Sequence, residues 1–434
     1  MKHRVAAFSL ACAGALSLVG CAAETVPAEG GLGIEAESLD CALARNTRFY
    51  APPPRAESVA HIVELRKARQ YADARRVAKM VATPRAVWLV GGTTAAVKAQ
   101  VKDAIDGAKR AKAVPVFVLY NVPFRDCAQY SSGGANDTAE YKEWIDAIVK
   151  SLGKAKAVVV VEPDGLGIIP YNTTIYGAEE WCKPTVPDAD GNPVPAPGAN
   201  PEERYAQLNY AVSELAAKAP GALVYLDATH PAWLGVGEAA ARLVRAGVAQ
   251  ARGFFLNVSN YESTEHSKTF GTWVSMCIAA GTAGEEWARG HFDWCASQYN
   301  PALGYADYSP EYAETVTAGI QGLMGDAEAS TSFVIDTGRN GQGPWTPATA
   351  YPDPQIWCNA PGRGVGLRPS ADTGTPLVDA YLWLKVPGES DGSCNRGVAG
   401  STTDPEWGGI VDPVAGAWFR EQAVELASLA NPAL

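Results

Sequence analysis

The sequence predicts an α/β fold: one parallel (β/α) barrel, complete or one strand short, in a single domain. Three observations predict it. Seven short apolar, β-branched or aromatic runs stand out, at residues 86–90, 114–120, 157–161, 222–226, 253–258, 332–335 and 380–385. They are continuous rather than alternating, as strands buried on both faces are. Segments with helical spacing lie between most of them, and that alternation implies parallel strands joined by right-handed crossovers. The length, 434 residues, is one at which α/β barrels remain single domains.

In chain order, an amphipathic stretch at 58–81 predicts a helix before the first strand. Helices are then expected at 94–112, 139–153, 201–218, 236–250 and 309–324, with a last one at 415–430. Residues 184–201 read as a Pro-rich loop. Residues 270–308 read as a long, Trp-rich, acidic insertion between the fifth and sixth strands.

Composition narrows the function. Hydrophobic residues at 47% and charged residues at 19% describe a globular chain. A net charge of −11 argues against a nucleic-acid partner. Outside the N-terminus no apolar run is long enough to span a bilayer. A monomer is expected. The 12 Trp and 17 Tyr offer flat faces that serve a core or a carbohydrate site. Dinucleotide and phosphate-loop fingerprints are lacking, and Ser131-Ser132-Gly133-Gly134 does not form a nucleophile elbow. None of the five His has zinc-hydrolase spacing and no C-x-x-C pair occurs. Neither a metal nor a cofactor is therefore expected.

The N-terminus reads as a targeting device. Lys2, His3 and Arg4 precede an apolar stretch that closes at Leu18-Val19-Gly20-Cys21. That order is an export signal, and the closing tetrapeptide resembles a bacterial lipoprotein box. The expected division is a signal at 1–20, a flexible tether from the lipidated Cys21 to residue 45, and the barrel at 46–434. Anchoring at the outer membrane or cell surface follows, or else secretion. Seven further cysteines then sit where disulfides persist: Cys41, Cys127, Cys182, Cys277, Cys295, Cys358 and Cys394.

Acids crowd the strand exits, where such barrels carry their functional groups. Asp126 follows the second strand, Glu162 and Asp164 the third, Asp227 the fourth, Asp336 the sixth, and Glu389 and Asp391 the seventh. Carboxylates plus aromatics without a cofactor fit acetal hydrolysis, which needs a proton donor and a second carboxylate. The residues alone leave the choice of donor open between Glu162 and Asp164.

The run Tyr120-Asn121-Val122-Pro123-Phe124-Arg125-Asp126-Cys127 resembles glycoside hydrolase family 6, the inverting cellulases. So do Val160-Val161-Glu162-Pro163-Asp164, Asp227-Ala228-Thr229-His230-Pro231-Ala232-Trp233-Leu234 and Asn257-Val258-Ser259-Asn260-Tyr261. Ile335-Asp336-Thr337-Gly338-Arg339-Asn340-Gly341, Trp357-Cys358-Asn359 and Leu384-Lys385-Val386-Pro387-Gly388-Glu389-Ser390-Asp391-Gly392 complete the set. The resemblance implies a distorted seven-stranded parallel (β/α) barrel acting on cellulose or another β-1,4-glucan. It implies Asp164 as general acid with Asp126 as its charged neighbour, Asp391 as base, and Tyr120 pressing on the sugar at the cleavage point. Trp88, Trp233 and Trp357 would be aromatic platforms. Ser132, His230, Asn257, Lys385 and Glu389 would bind sugar, and Glu162 would be structural. Disulfides Cys127–Cys182 and Cys358–Cys394 are implied; Cys277 and Cys295 lie together in the insertion, where a pairing is left open that would make Cys41 the odd one. The Pro-Gly-Glu-Ser-Asp-Gly wording resembles bacterial endoglucanases, and the long insertion points toward exo-action. Endo-action is the expectation. The alternatives are a cellobiohydrolase and an inactive surface lipoprotein that only binds carbohydrate.

Overall fold

The computed structural model describes residues 43–434. The expected signal, Cys21, Cys41 and the tether up to residue 42 lie outside the described residues. Among those described, one all-parallel sheet of seven strands runs in strict chain order: β1 Val87–Leu89, β2 Val116–Leu119, β3 Ala157–Val161, β4 Ala222–Asp227, β5 Gly253–Leu256, β6 Ser332–Asp336 and β7 Val378–Leu382. The sheet curls without closing, because β1 and β7 are its two edges. The Ala86 N–H reaches the Trp383 carbonyl at 2.9 Å, and the Trp88 indole N–H reaches the Leu384 carbonyl at 2.8 Å, so the seam is only stitched.

The continuous apolar runs became strands because both faces are covered. All five residues of β3 have no exposed surface, and those of β2 are also buried. Each such Val contributes about 1.5–3 kcal/mol relative to an exposed one. Crossover helices cover the outer face: α3 Thr94–Ala111, α4 Thr138–Leu152, α5 Pro201–Lys218, α6 Val236–Arg245, α7 Thr264–Ala283 and α8 Pro310–Met324. Four of their starts are capped by a side-chain oxygen, from Thr93, Asp137, Asn200 and Ser263. Such a cap is worth ~1 kcal/mol. Helices α1 Ala56–Lys67, α2 Tyr71–Ala82 and α9 Arg420–Ser428 pack around Trp383 and Val365 as a second apolar cluster.

Several expected boundaries change. The single helix at 58–81 is two helices, broken where Arg69 adopts φ 61°. Most of the first half of the expected 270–308 insertion is α7, a crossover helix buried on almost every side, which hides the one-sided pattern of a surface helix. The remaining insertion is closed by a third disulfide, Cys277–Cys295, and carries the hairpin Tyr299–Asn300 with Tyr305–Ala306. The Pro-rich loop holds another hairpin, Thr185–Pro187 with Pro193–Pro195. The last strand ends at Leu382 rather than 385, because Leu384 and Lys385 turn their N–H groups onto the Asp336 carboxylate at 3.1 and 2.8 Å. The final helix starts at Arg420, since Trp418 is held in a bridge with Glu389.

Candidate active site

A cleft of about 1100 Å³ lies at the carboxyl ends of the strands, beside the β1–β7 seam. Trp88, Tyr120, Asp126, Ser132, Asp164, His230, Trp233, Trp357, Lys385, Glu389 and Asp391 all line it. Asn257 does not line it, and its expected role in sugar binding is corrected. Asn257 is fully buried, and its amide donates to the Glu262 and Asp336 carbonyls at 3.1 and 3.0 Å. It spends its polar groups on joining the loops after β5 and β6. Asn260, three residues on, lines the cleft instead.

The strand exits are built from backbone that side chains normally avoid. Asp126, Glu162, Asp164, Thr229, Asn257 and Ser259 all have φ between 54° and 72°. Left-handed residues of this kind persist only where the surroundings over-determine them, and they gather at functional sites. Glu162 does part of that work: its buried carboxylate accepts the Asn121 and Val122 N–H groups at 2.7 and 3.1 Å. Arg204, on α5, donates to the Gly165 and Ile168 carbonyls at 2.8 Å each and to Pro123 at 2.9 Å. It ties the Asp126 loop to the Asp164 loop. Sequence reasoning missed Arg204, although a signal existed: it shares one buried helix stripe with Leu208, Ala211 and Leu215.

The two sides of the cleft treat carboxyls differently. Asp164 is pushed well above the usual carboxylate range, first by burial and then by Asp227, Asp126 and Asp391. Asp227 accepts the Thr229 N–H at 2.8 Å and those of Leu166 and Gly167 at 3.3 Å, which fixes it behind Asp164. Burial lifts Asp227 to about 6 despite those bonds. Asp126 also rises to about 6 through burial, and it accepts the Ser131 N–H at 2.7 Å.

Opposite them, Asp391 is held by three donors. Arg339 Nη1 lies 2.7 Å and Lys385 Nζ 3.0 Å from its oxygens, and the Asn359 N–H donates at 2.8 Å. Burial alone would raise its pKa, but the two cations override it and hold the carboxyl below its ordinary value. Arg339 in turn lies over the Tyr261 ring at 4.5 Å.

Aromatic faces line the groove between these sides. Trp88 meets Tyr120 edge-on at 5.4 Å, and Arg125 covers the other part of the Tyr120 ring at 4.5 Å. Arg125 also anchors the serine loop through the Ser131 and Ser132 carbonyls, at 2.9 and 3.2 Å. Burial holds His230 neutral by lowering its pKa to about 4. Glu389 pairs with Arg55 at 2.8 Å. Arg55, Tyr130 and Trp181 also line the cleft, and sequence reasoning passed over all three. Trp181 is 55% exposed and adjoins Cys182, so the disulfide Cys127–Cys182 carries it to the rim beside Asp126. The disulfide Cys358–Cys394 similarly ties the Trp357 loop to the Asp391 loop.

Among the described residues, one group of acids and sulfur lies close enough to suggest a cation: Cys394, Asp404 and Asp412. The sulfur is in a disulfide and Asp404 is paired with Arg396, so that donor set does not suit one.

Comparison with known proteins agrees with this geometry. The family model described as "Glycosyl hydrolases family 6" matches residues 44–430. Endoglucanase A of Cellulomonas fimi is 30% identical over 350 residues, covering 80% of this chain and 55% of that protein. The 1,4-beta-D-glucan cellobiohydrolase C of Emericella nidulans is 33% identical over 339 residues, covering 73% and 61%. The chain thus spans little more than half the length of such curated relatives. Among solved structures, an endoglucanase of Mycobacterium tuberculosis, in complex with methyl-cellobiosyl-4-deoxy-4-thio-beta-D-cellobioside, superimposes with a TM-score of 0.60. It is 32% identical, and the match covers 88% of this chain and 97% of that one.

Proposed function

The chain belongs to glycosyl hydrolases family 6, and from that premise we propose that it hydrolyses β-1,4-glucosidic bonds of cellulose with inversion. The single observation that carries the proposal is that two carboxyls line one cleft in opposite settings: Asp164, which burial and neighbouring acids push up, and Asp391, which Arg339 and Lys385 clamp and hold down. Asp164 gives its proton to the leaving glucosyl oxygen as the glycosidic bond breaks. Water attacks the anomeric carbon from the opposite face, and its proton passes to Asp391, directly or through water. The clamp by Arg339 and Lys385 makes Asp391 a weak base held in a fixed orientation. Tyr120 presses on the sugar at the cleavage point, and Trp88, Trp233 and Trp357 stack on pyranose faces. Ser132, His230, Lys385 and Glu389 bind hydroxyls.

Endo-action is the reading favoured by the names of the C. fimi and M. tuberculosis relatives. One observation favours exo-action as the second reading. Tyr130, on the Asp126 loop, packs against Trp357 at 5.9 Å and lies over Gly392, and its hydroxyl approaches Gln355 and Asn395 at 3.2 and 3.4 Å. These contacts bridge the two loops across the groove. Carboxymethylcellulose decides between the readings. A steep fall in viscosity with new reducing ends supports endo-action, and cellobiose with little loss of viscosity supports exo-action. No release by the folded protein would leave only a carbohydrate-binding role. Export and acylation at Cys21 belong to the same proposal; loss of palmitate labelling in Cys21→Ala tests them.

A further inference from the structure

Behind Asp391, away from the cleft, lies a buried polar group that the chemistry above does not use. Asn359 is at its centre, fully buried, with φ 41°. Its N–H donates to Asp391 Oδ2 and its Oδ1 accepts the Asp391 N–H, both at 2.8 Å. Its Nδ2 reaches Ser390 Oγ at 3.0 Å, the Gly392 carbonyl at 2.9 Å and Asp412 Oδ2 at 2.8 Å. One amide therefore contacts the Asp391 N–H and both neighbouring residues, Ser390 through its hydroxyl and Gly392 through its carbonyl, and its outward anchor is Asp412.

Asp412 has an unusual setting. It is 2% exposed, and its Oδ1 has no hydrogen-bond partner among the described residues. One of its carboxyl oxygens lies within 4.8 Å of one from the fully buried Asp404. Among the described residues a single guanidinium serves the pair, and it is committed: Arg396 donates to Asp404 from Nε at 3.0 Å and from Nη2. The remaining groups are Gln422, neutral, from α9, and, beyond Asn359, the Asp391–Arg339–Lys385 cluster at the ends of β6 and β7.

We propose that Asp412 is a positioning residue for Asp391, acting through Asn359, and that the proton on Asp412 sets how firmly the Asp391 loop is held. Two buried carboxyls facing one guanidinium cannot both be charged cheaply. Burial pushes Asp412 up to about 7; the Asn359 hydrogen bond opposes this and the Asp404 charge adds to it. Below that value Asp412 is a neutral acid that accepts from Asn359 and can share its proton with Asp404. Above it two like charges repel within a buried space, and the segment backing Asn359 loosens. The inference rests on the proposed cellulase activity for its kinetic readout and on geometry for the rest.

The test compares Asp412→Asn and Asp412→Ala with the wild type, in kcat and KM on a soluble cello-oligosaccharide and in melting temperature, from about pH 5 to about pH 9. The amide of Asp412→Asn keeps an acceptor for Asn359 and offers Asp404 a donor, so it mimics the neutral acid at every pH. It is expected to retain kcat on the acid side and to lose part of the wild type's alkaline decline. Asp412→Ala is expected to lower kcat at every pH with KM unchanged. Superimposable kcat profiles for the wild type and Asp412→Asn would overturn the proposal, as would an undiminished kcat in Asp412→Ala. Should Asp412→Ala not fold, the Asp412→Asn profile decides. Should the wild type not hydrolyse the oligosaccharide, the proposed function fails by itself. The melting temperatures then decide for Asp412: a decline through about pH 7 that is shallower in Asp412→Asn than in the wild type supports it, and parallel curves overturn it.

Discussion

The two sides of the cleft use the same residue type for opposite ends. On the β2–β4 side, Asp126, Asp164 and Asp227 crowd together, and among the described residues no cation pairs with Asp164 or Asp227; burial raises all three, and for Asp164 the neighbouring acids add to it. On the β6–β7 side, Asp391 is also buried but has Arg339 and Lys385 against it, and they hold it below its ordinary value. Burial alone does not assign an acid or a base. The placement of two cations does, and both stand on one side.

The comparison can be broken first at Asp164. Asp164→Asn keeps the shape and removes the proton. Activity on carboxymethylcellulose is expected to fall by about 10²–10⁴-fold with an unchanged circular dichroism spectrum. A rate within the wild-type range would refute the acid assignment. The next largest effect is at the clamp. Arg339→Gln breaks a buried pair and is expected to cost about 3–5 kcal/mol in denaturant unfolding. It should also move the acid limb of the kcat profile upward, since Asp391 loses its stronger partner; an unmoved limb would mean that Asp391 does not govern it.

The disulfides probe whether both sides need the same covalent support. Cys127→Ala with Cys182→Ala, and Cys358→Ala with Cys394→Ala, open separations of 55 and 36 residues. The chain-entropy model gives each about 4 kcal/mol. Unequal losses in unfolding experiments would show that one loop is also held by its packing.

The smallest expected effect is on stability against pH. Asp126, Asp227 and Asp336 have folded-state values near 6, above their unfolded ones. Their contribution is full below about pH 4 and is lost as pH rises through about 6. Asp391 works in the opposite sense, contributing above its unfolded value and losing that as pH falls through its lower folded one. The melting temperature should therefore be higher at about pH 5 than at about pH 8, and replacing Asp227 by Asn should flatten that slope. A rising slope would contradict the crowded-carboxyl picture.

Much of this was legible in the sequence. The strands announced themselves because a run such as Ala157–Val161 is buried on both faces and tolerates no polar residue. The acids at the strand exits were visible as a repeated pattern, but the pattern did not separate those that face the cleft from Glu162, Asp227 and Asp336, which accept backbone N–H groups of the loops. What stayed hidden depends on meetings across the fold. Asn257 sits in a matching block and still faces inward, a choice of direction that spacing does not encode. Arg339 and Asp391 are 52 residues apart in sequence and 2.7 Å apart in space. Helix α7 was read as mostly insertion because its surroundings, not its own pattern, bury it.

Carboxyl-carbon NMR titration of Asp164 and Asp391 in one sample reads the two sides of the cleft separately. Asp164 is expected to keep its proton well above the ordinary aspartate value while Asp391 titrates below it, and Asp227→Asn is expected to lower Asp164 without moving Asp391. Two carboxyls titrating together near about 4 would contradict the contrast between the two sides.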